Sequence, residues 1–99
     1  MLYTLFMIKS LKCKETKKIY ERTFSKKLPQ EIQQKAYQKL IMLDSAFFIE
    51  DLKVPPSNHL ELLSGDLKDF YSIRINKQYR ICFKWQQNNA YDVFIIDYH

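Results

Sequence analysis

YSIRINKQYRICFKW, residues Tyr71 to Trp85, is two β runs with a turn between them. The apolar positions Tyr71, Ile73 and Ile75 alternate with polar ones, and after Asn76-Lys77-Gln78 the alternation resumes at Tyr79, Ile81, Phe83 and Trp85. Both apolar sets must share the buried face, and directly opposed residues of an antiparallel pair point to the same side. Matching Ile75 with Tyr79 therefore needs a three-residue loop, sets Ile73 opposite Ile81, and brings Arg74 directly opposite Arg80. Two like charges so placed repel by a few tenths to about 1 kcal/mol. A nearby carboxylate, Asp97 or Asp92, would offset this, as would splaying into solvent or an anion held in the planar guanidinium forks.

Outward from this hairpin the period of two persists. Leu60 to Leu63, Phe70 to Ile75, Tyr79 to Trp85 and Tyr91 to Tyr98 read as strands, separated by Ser64-Gly65-Asp66, Asn76 to Gln78 and Gln86 to Asn89. On the N-terminal side, Val54-Pro55-Pro56-Ser57-Asn58 cannot continue a helix and reads as a rigid connection. Before it, Pro29, Glu31 and the stripe Ile32, Ala36, Leu40, Leu43 predict an amphipathic helix from Pro29 to Ala46, with Lys35 and Lys39 facing outward. Cys13 to Thr23, with Ile19, Tyr20 and Phe24, reads as a shorter helix, and Leu5 to Leu11 as a first strand lying at an edge or beside a later strand. The order is β-α-α-β-β-β-β, an α+β domain with a mostly antiparallel sheet of about four strands.

Ninety-nine residues, 46% of them hydrophobic and 15% aromatic, suffice for one packed core, and a single glycine leaves no flexible linker. One domain over residues 1–99 is expected. No apolar run approaches a bilayer span and Met1 to Phe6 lacks the basic start of a signal peptide, so the expected location is the cytoplasm, with no membrane partner. Cys13 and Cys82 have neither zinc-knuckle nor disulfide-framework spacing, and Cys82 reads as a small strand residue. Sixteen Lys and Arg against eleven Asp and Glu give a net charge of +5, which attracts polyanions without choosing among them. The lone Gly65 excludes glycine-rich phosphate loops, and scattered carboxylates with one terminal His build no metal site.

The chain ends Asp97-Tyr98-His99: a carboxylate, a phenol and an imidazole. In a regular strand Asp97 and His99 share one face and Tyr98 takes the other, an arrangement that supplies a titratable group with an orienting carboxylate. Viewed alone, the triplet reads more readily as ordinary surface, since a terminal His is usually just frayed and solvated, and His59 beside the Pro-Pro segment has the same default.

Taken together, LELLSGDLK (Leu60 to Lys68), YSIRINKQYRICFKW and the terminal YDVFIIDYH resemble the C-terminal half of the HigB branch of the RelE toxin superfamily. MIKSLKCK (Met7 to Lys14) resembles the usual start of that branch, so the likeness spans Met7 to His99 and leaves Met1 to Phe6 as an extension. The resemblance implies a RelE-like fold and a type II toxin that enters the ribosomal A site and cuts the translated message. Cleavage would turn the ribose 2'-hydroxyl onto the adjacent phosphate without metal or cofactor. It implies that Arg80 stabilises charge on the scissile phosphate and that Asp97, Tyr98 and His99 form the terminal catalytic cluster, with His99 the proton carrier. Arg74, Lys68 and Lys84 are then the RNA phosphate-binding cations. The implied partners are a HigA-like helix-turn-helix antitoxin, the ribosome and mRNA, with DNA reached only through the antitoxin complex. Two departures stand out: Ser64 where many relatives carry Lys, and Glu61 where some carry His. They suggest either reliance on Lys68 or a catalytically weak homologue that acts mainly as an antitoxin-binding, autoregulatory module. Tyr71 and Tyr79 replace frequent Trp residues and keep the core aromatic.

Overall fold

Residues 8–98 are described in the computed structural model. Helix α2, Gln30–Ser45, forms because Ile32, Ala36, Leu40 and Leu43 recur at helical spacing, and all four are buried. Pro29 ends the preceding loop as its N-cap and Ala46 its C-cap, within one residue of the predicted bounds. Helix α1, Lys14–Tyr20, is shorter than expected at its C-terminal end: Arg22 takes a positive φ of 62° and Phe24 stays 55% exposed. Two short 3-10 segments, Ile49–Lys53 and Pro56–Asn58, carry the chain from α2 into the sheet.

The four strands are β1 (Glu61–Leu62), β2 (Tyr71–Arg74), β3 (Tyr79–Gln86) and β4 (Asn89–Asp97), paired in sequence order as an antiparallel meander. The β2–β3 register is the expected one, with Ile73 opposite Ile81 and Arg74 opposite Arg80. The three-residue loop is closed by the Asn76 side chain, whose Oδ1 accepts from the amides of Gln78 and Tyr79, both at 2.8 Å. The β3–β4 connection is tighter than expected. Gln87 and Asn88, with φ of 50° and 62°, make a two-residue turn, and Gln86 and Asn89 pair as strand residues.

Both helices pack on one face of the sheet. Ile73, Ile75, Ile81, Phe83, Ala90 and Val93 join Ile19, Ile32, Ala36, Leu40 and Leu43 in a single core. Each fully buried Leu, Ile or Phe contributes roughly 1.5–3 kcal/mol relative to exposure. The opposite face, expected to be polar, carries a second small apolar cluster of Leu63, Phe70 and Cys82 with Leu67, Phe94 and Ile96 packed against it.

β4 is not regular. Cys82 faces Phe94 but Lys84 faces Tyr91, so β4 holds one residue more than β3 between these pairs. Asp92 absorbs it in a left-handed conformation, φ 52°. The N-terminal segment fixes this bulge. Ser10 Oγ accepts the Asp92 amide at 2.8 Å, and its carbonyl accepts the Val93 amide at 3.0 Å. Ile8 and Leu11 make parallel bridges to Ala90 and Val93, so the first extended segment lies beside the last strand. The part of the predicted first strand before Ile8, and the extension Met1 to Phe6, lie outside the described residues. A buried carboxylate anchors the segment to α2: Asp44 accepts the Ile8 amide at 2.9 Å and the Tyr20 hydroxyl at 2.7 Å. Burial and this bond raise the Tyr20 pKa well above the usual phenol range.

The expectation that Lys39 faces outward is corrected. Lys39 is 7% exposed, and its ammonium donates to Oδ1 of the fully buried Asn58. It stands three residues after Ala36, on the flank of the buried stripe, and the Pro56–Asn58 turn folds over that flank. Lys35 is exposed as expected. Among the described residues, no helix is long and apolar enough to cross a membrane.

Candidate functional site

Arg80 stands at the centre of the sheet face away from the helices, and its surroundings follow from the register. Ser72 is two residues before Arg74 on β2, so it lies diagonally across from Arg80 on the same face. Its hydroxyl accepts from Arg80 Nη1 at 2.8 Å. β1 pairs outside β2 with Glu61 opposite Ser72, which brings the Glu61 carboxylate to 3.1 Å from Arg80 Nη2. His59 caps the Pro56–Asn58 turn in a left-handed conformation, and its carbonyl accepts from Arg80 Nη1 at 3.2 Å. Arg80 is thereby 5% exposed, which sequence reasoning did not foresee. The guanidinium is held from three sides by groups on three separate segments.

Tyr98 supplies the fourth side. The register sets Ile96 opposite Arg80, and two residues further the Tyr98 ring covers the guanidinium, with Arg80 Cζ 5.3 Å from the ring centroid. A hydrogen bond from the Tyr98 amide to the Gln78 carbonyl, 2.6 Å, fixes the chain there. Asp97 pairs with Tyr79 and therefore belongs to the opposite face, where Gln78 Nε2 donates to its Oδ2 at 3.0 Å. Of the terminal triplet, Tyr98 is brought to Arg80 and Asp97 is directed to the turn. His99 lies outside the described residues.

Of the alternatives open for offsetting the Arg74–Arg80 pair, a carboxylate is present, and it is Glu61, which was not among the examples Asp97 and Asp92. Asp92 is engaged elsewhere, 3.8 Å from the Lys84 ammonium. Glu61 attracted notice only as a departure from relatives, because its partner depends on the pairing of a two-residue strand across an irregular loop. Arg74 is half-buried beside Arg80 and makes no ion pair among the described residues.

Further along the same face, the rings of Phe70 and Phe94 meet edge to face at 5.5 Å. Lys84 lies 5.2 Å from the Phe70 centroid, and Lys12 lies 5.5 Å and 5.0 Å from those of Phe70 and Phe94. Lys12 was not singled out from the sequence, since only the parallel docking of the N-terminal segment carries it there. Lys68 is exposed at the end of the 3-10 turn Gly65–Leu67. Arg80, Cys82 and Lys84 alternate along β3, so Arg80 and Lys84 stand about 13 Å apart. Cys82, between them, is fully buried, and burial pushes its thiol up to about 11 against the opposing pull of Arg80 and Lys12. It packs as a thiol, as expected of a small strand residue.

The face thus presents a fixed, stacked arginine, a second arginine beside it, and lysines over aromatic rings. This arrangement suits a phosphate backbone with neighbouring bases. Comparison with known proteins points the same way. The family described as RelE-like toxin of type II toxin-antitoxin system HigB matches residues 9–99. Toxin HigB-1 of Vibrio cholerae is 41% identical over 68 residues, 69% of this chain and 72% of that protein. Endoribonuclease HigB of Proteus vulgaris is 30% identical over 93 residues, 94% of this chain and all of that protein. An uncharacterized protein of Haemophilus influenzae is 39% identical over 69 residues, 70% of this chain and 68% of that protein.

Proposed function

The chain belongs to the HigB-like, RelE-like toxins of type II toxin–antitoxin systems, and from that premise we propose that it is a ribosome-dependent mRNA endoribonuclease. The ribose 2'-hydroxyl oxygen attacks the adjacent phosphorus and the 5'-oxygen of the next nucleotide leaves, with one proton removed from the nucleophile and one delivered to the leaving group. Arg80 stabilises the charge that develops on the phosphate oxygens. The observation that carries this reading is the fixation of the Arg80 guanidinium by Ser72, the His59 carbonyl and Glu61 under the Tyr98 ring. A cation fixed in this way needs little reorganisation as charge builds. In the terminal cluster of Asp97, Tyr98 and His99, His99 is the proton carrier, Asp97 its orienting carboxylate and Tyr98 the cover over Arg80, and Arg74, Lys68 and Lys84 hold flanking phosphates. No metal or cofactor enters. The toxin acts in the cytoplasm on the ribosome and its message until a HigA-like helix-turn-helix antitoxin neutralises it, and DNA is met only through that complex.

A second reading has one specific observation in its favour. The Glu61 carboxylate already occupies part of the Arg80 guanidinium, which suits a weak toxin homologue that serves mainly as an antitoxin-binding module. Expression of wild type, Arg80→Ala and His99→Ala in a bacterial host separates the two. Arrested growth with message cleavage by the wild type, lost in both variants, supports the nuclease. Equal growth of all three with intact message refutes it, and antitoxin binding would then favour the second reading.

A further inference from the structure

A second concentration of positive charge lies at the β2–β3 end of the molecule. There a cleft of about 310 Å³ opens between α2, the Pro56–Asn58 turn and the β2–β3 loop, lined by Lys35, Lys39, Arg74 and Lys77 together with Ser57 and Asn76. No carboxylate lines it. Among the described residues the ion-paired cations are Lys18 with Glu15, Arg80 with Glu61 and Lys84 with Asp92, so what sets the cleft apart is the convergence of four cations on one concavity, more than their lack of a partner. The four in the cleft make no ion pair among the described residues.

Lys39 sharpens the anomaly. Its ammonium is buried, and its hydrogen-bond partner among the described residues is Asn58 Oδ1, a neutral acceptor that leaves the charge uncompensated. A buried cation without a counter-charge is costly, and burial, aided by the neighbouring Lys35, pulls its pKa below the usual lysine range. An anion in the cleft supplies the missing counter-charge to Lys39 and reduces the mutual repulsion of the four cations.

We propose that this cleft binds a phosphodiester group of the RNA strand other than the one engaged by Arg80. The inference rests on the RNA-cleaving reading above and extends it to a second point on the strand. Arg74 lines the cleft and stands opposite Arg80 in the β2–β3 register, so it connects the two sites. The lining holds no aromatic ring on which a base could stack. That favours a backbone phosphate over a free nucleotide.

The test is fluorescence anisotropy of the full chain with a labelled, fully 2'-O-methylated RNA 12-mer, which cannot be cut, across a series of salt concentrations. Lys35→Gln/Lys77→Gln is compared with Lys26→Gln/Lys27→Gln, which loses the same charge on an exposed loop outside the cleft. The cleft variant is expected to weaken binding about 5- to 10-fold near 0.1 M salt and to reduce the salt slope by about 0.7, the value for one single-strand phosphate contact. The loop variant should leave the slope unchanged. Equal losses in both variants, or no loss in the cleft variant while Arg80→Ala weakens binding, overturn the cleft alone. Wild type that fails to bind the RNA while still arresting growth and cutting message in a bacterial host overturns the cleft and leaves the ribosome-dependent nuclease standing, whereas absence of arrest and cleavage overturns the nuclease reading on which the cleft rests. Inorganic phosphate, at matched ionic strength, should not displace the RNA in the low-millimolar range. Displacement that depends on Lys35 and Lys77 would make this a free-phosphate site and overturn the backbone assignment.

Discussion

The Glu61 carboxylate lies 3.1 Å from the Arg80 guanidinium, joining a side chain 47% exposed to one only 6% exposed. The pair is asymmetric, because Arg80 keeps Ser72 and the His59 carbonyl as further acceptors while Glu61 is half in solvent. Glu61→Gln should therefore cost little stability, about 1 kcal/mol or less after solvent screening. It should also free a full positive charge for phosphate. Binding of uncleavable RNA is expected to tighten several-fold, measured by anisotropy at fixed salt. Weaker binding would mean that Glu61 is needed to hold the arginine in place.

The ring of Tyr98, more than its hydroxyl, covers Arg80. Tyr98→Phe keeps the cation–π contact and is expected to bind RNA within about twofold of wild type. Tyr98→Ala removes it and should weaken binding about 2- to 5-fold, the equivalent of a partly exposed cation–π contact. RNA titrations of both variants decide the point. A loss in cleavage by Tyr98→Phe without a loss in binding would assign the hydroxyl a part in the chemistry.

Much of this site was legible in the primary structure. Ile73, Ile75, Tyr79 and Ile81 permit one register, and that register by itself sets Arg74 against Arg80. Other features depend on contacts that local pattern does not encode. The helical stripe gives the angle of Lys39 around α2 but not the turn that brings Asn58 over it. The alternation of Tyr91 to Tyr98 conceals the extra residue at Asp92, because Asp accepts the left-handed conformation without a glycine to announce it. The bulge re-phases the strand, and the N-terminal segment that secures it is more than eighty residues away in sequence.

Asn58 joins α2 to the Pro-rich connection. Its side chain accepts from Lys39 and donates to the Leu52 carbonyl at 3.0 Å and to Met42 Sδ at 3.1 Å, all from a fully buried position. Asn58→Ala strands a buried ammonium and a carbonyl at once, at an expected cost of about 2–4 kcal/mol. Differential scanning calorimetry should show the thermal midpoint falling by more than about 10 °C. A shift of a degree or two would show that water replaces the amide.

The raised Cys82 pKa makes stability depend on alkali. From pH 9 to about 11 an unfolded chain ionises this thiol while the folded one keeps it protonated. The unfolded state then binds fewer protons, so stability falls as pH rises through that window, by up to about 2–3 kcal/mol. Below pH 9 the contribution is fully present. Cys82→Ala abolishes this dependence, so the stability gap between wild type and variant should narrow between pH 8 and pH 10.5 in urea titrations. A constant gap would show that the thiol ionises in the folded state at its ordinary pH.

The outer margin of β4 is occupied along its length. Val93 donates to Ser10, Ile95 donates to the Thr16 hydroxyl, and the carbonyls of Ala90 and Val93 accept from Lys9 and Lys12. At the other end of the sheet β1 is only two residues long. A sheet finished in this way offers little backbone for another chain to extend, which guards a concentrated toxin against assembling with itself through its strands. A partner that adds a strand beside β4 must first displace the segment from Ile8 to Lys12, so recognition by side-chain surfaces meets less resistance than recognition by strand exchange.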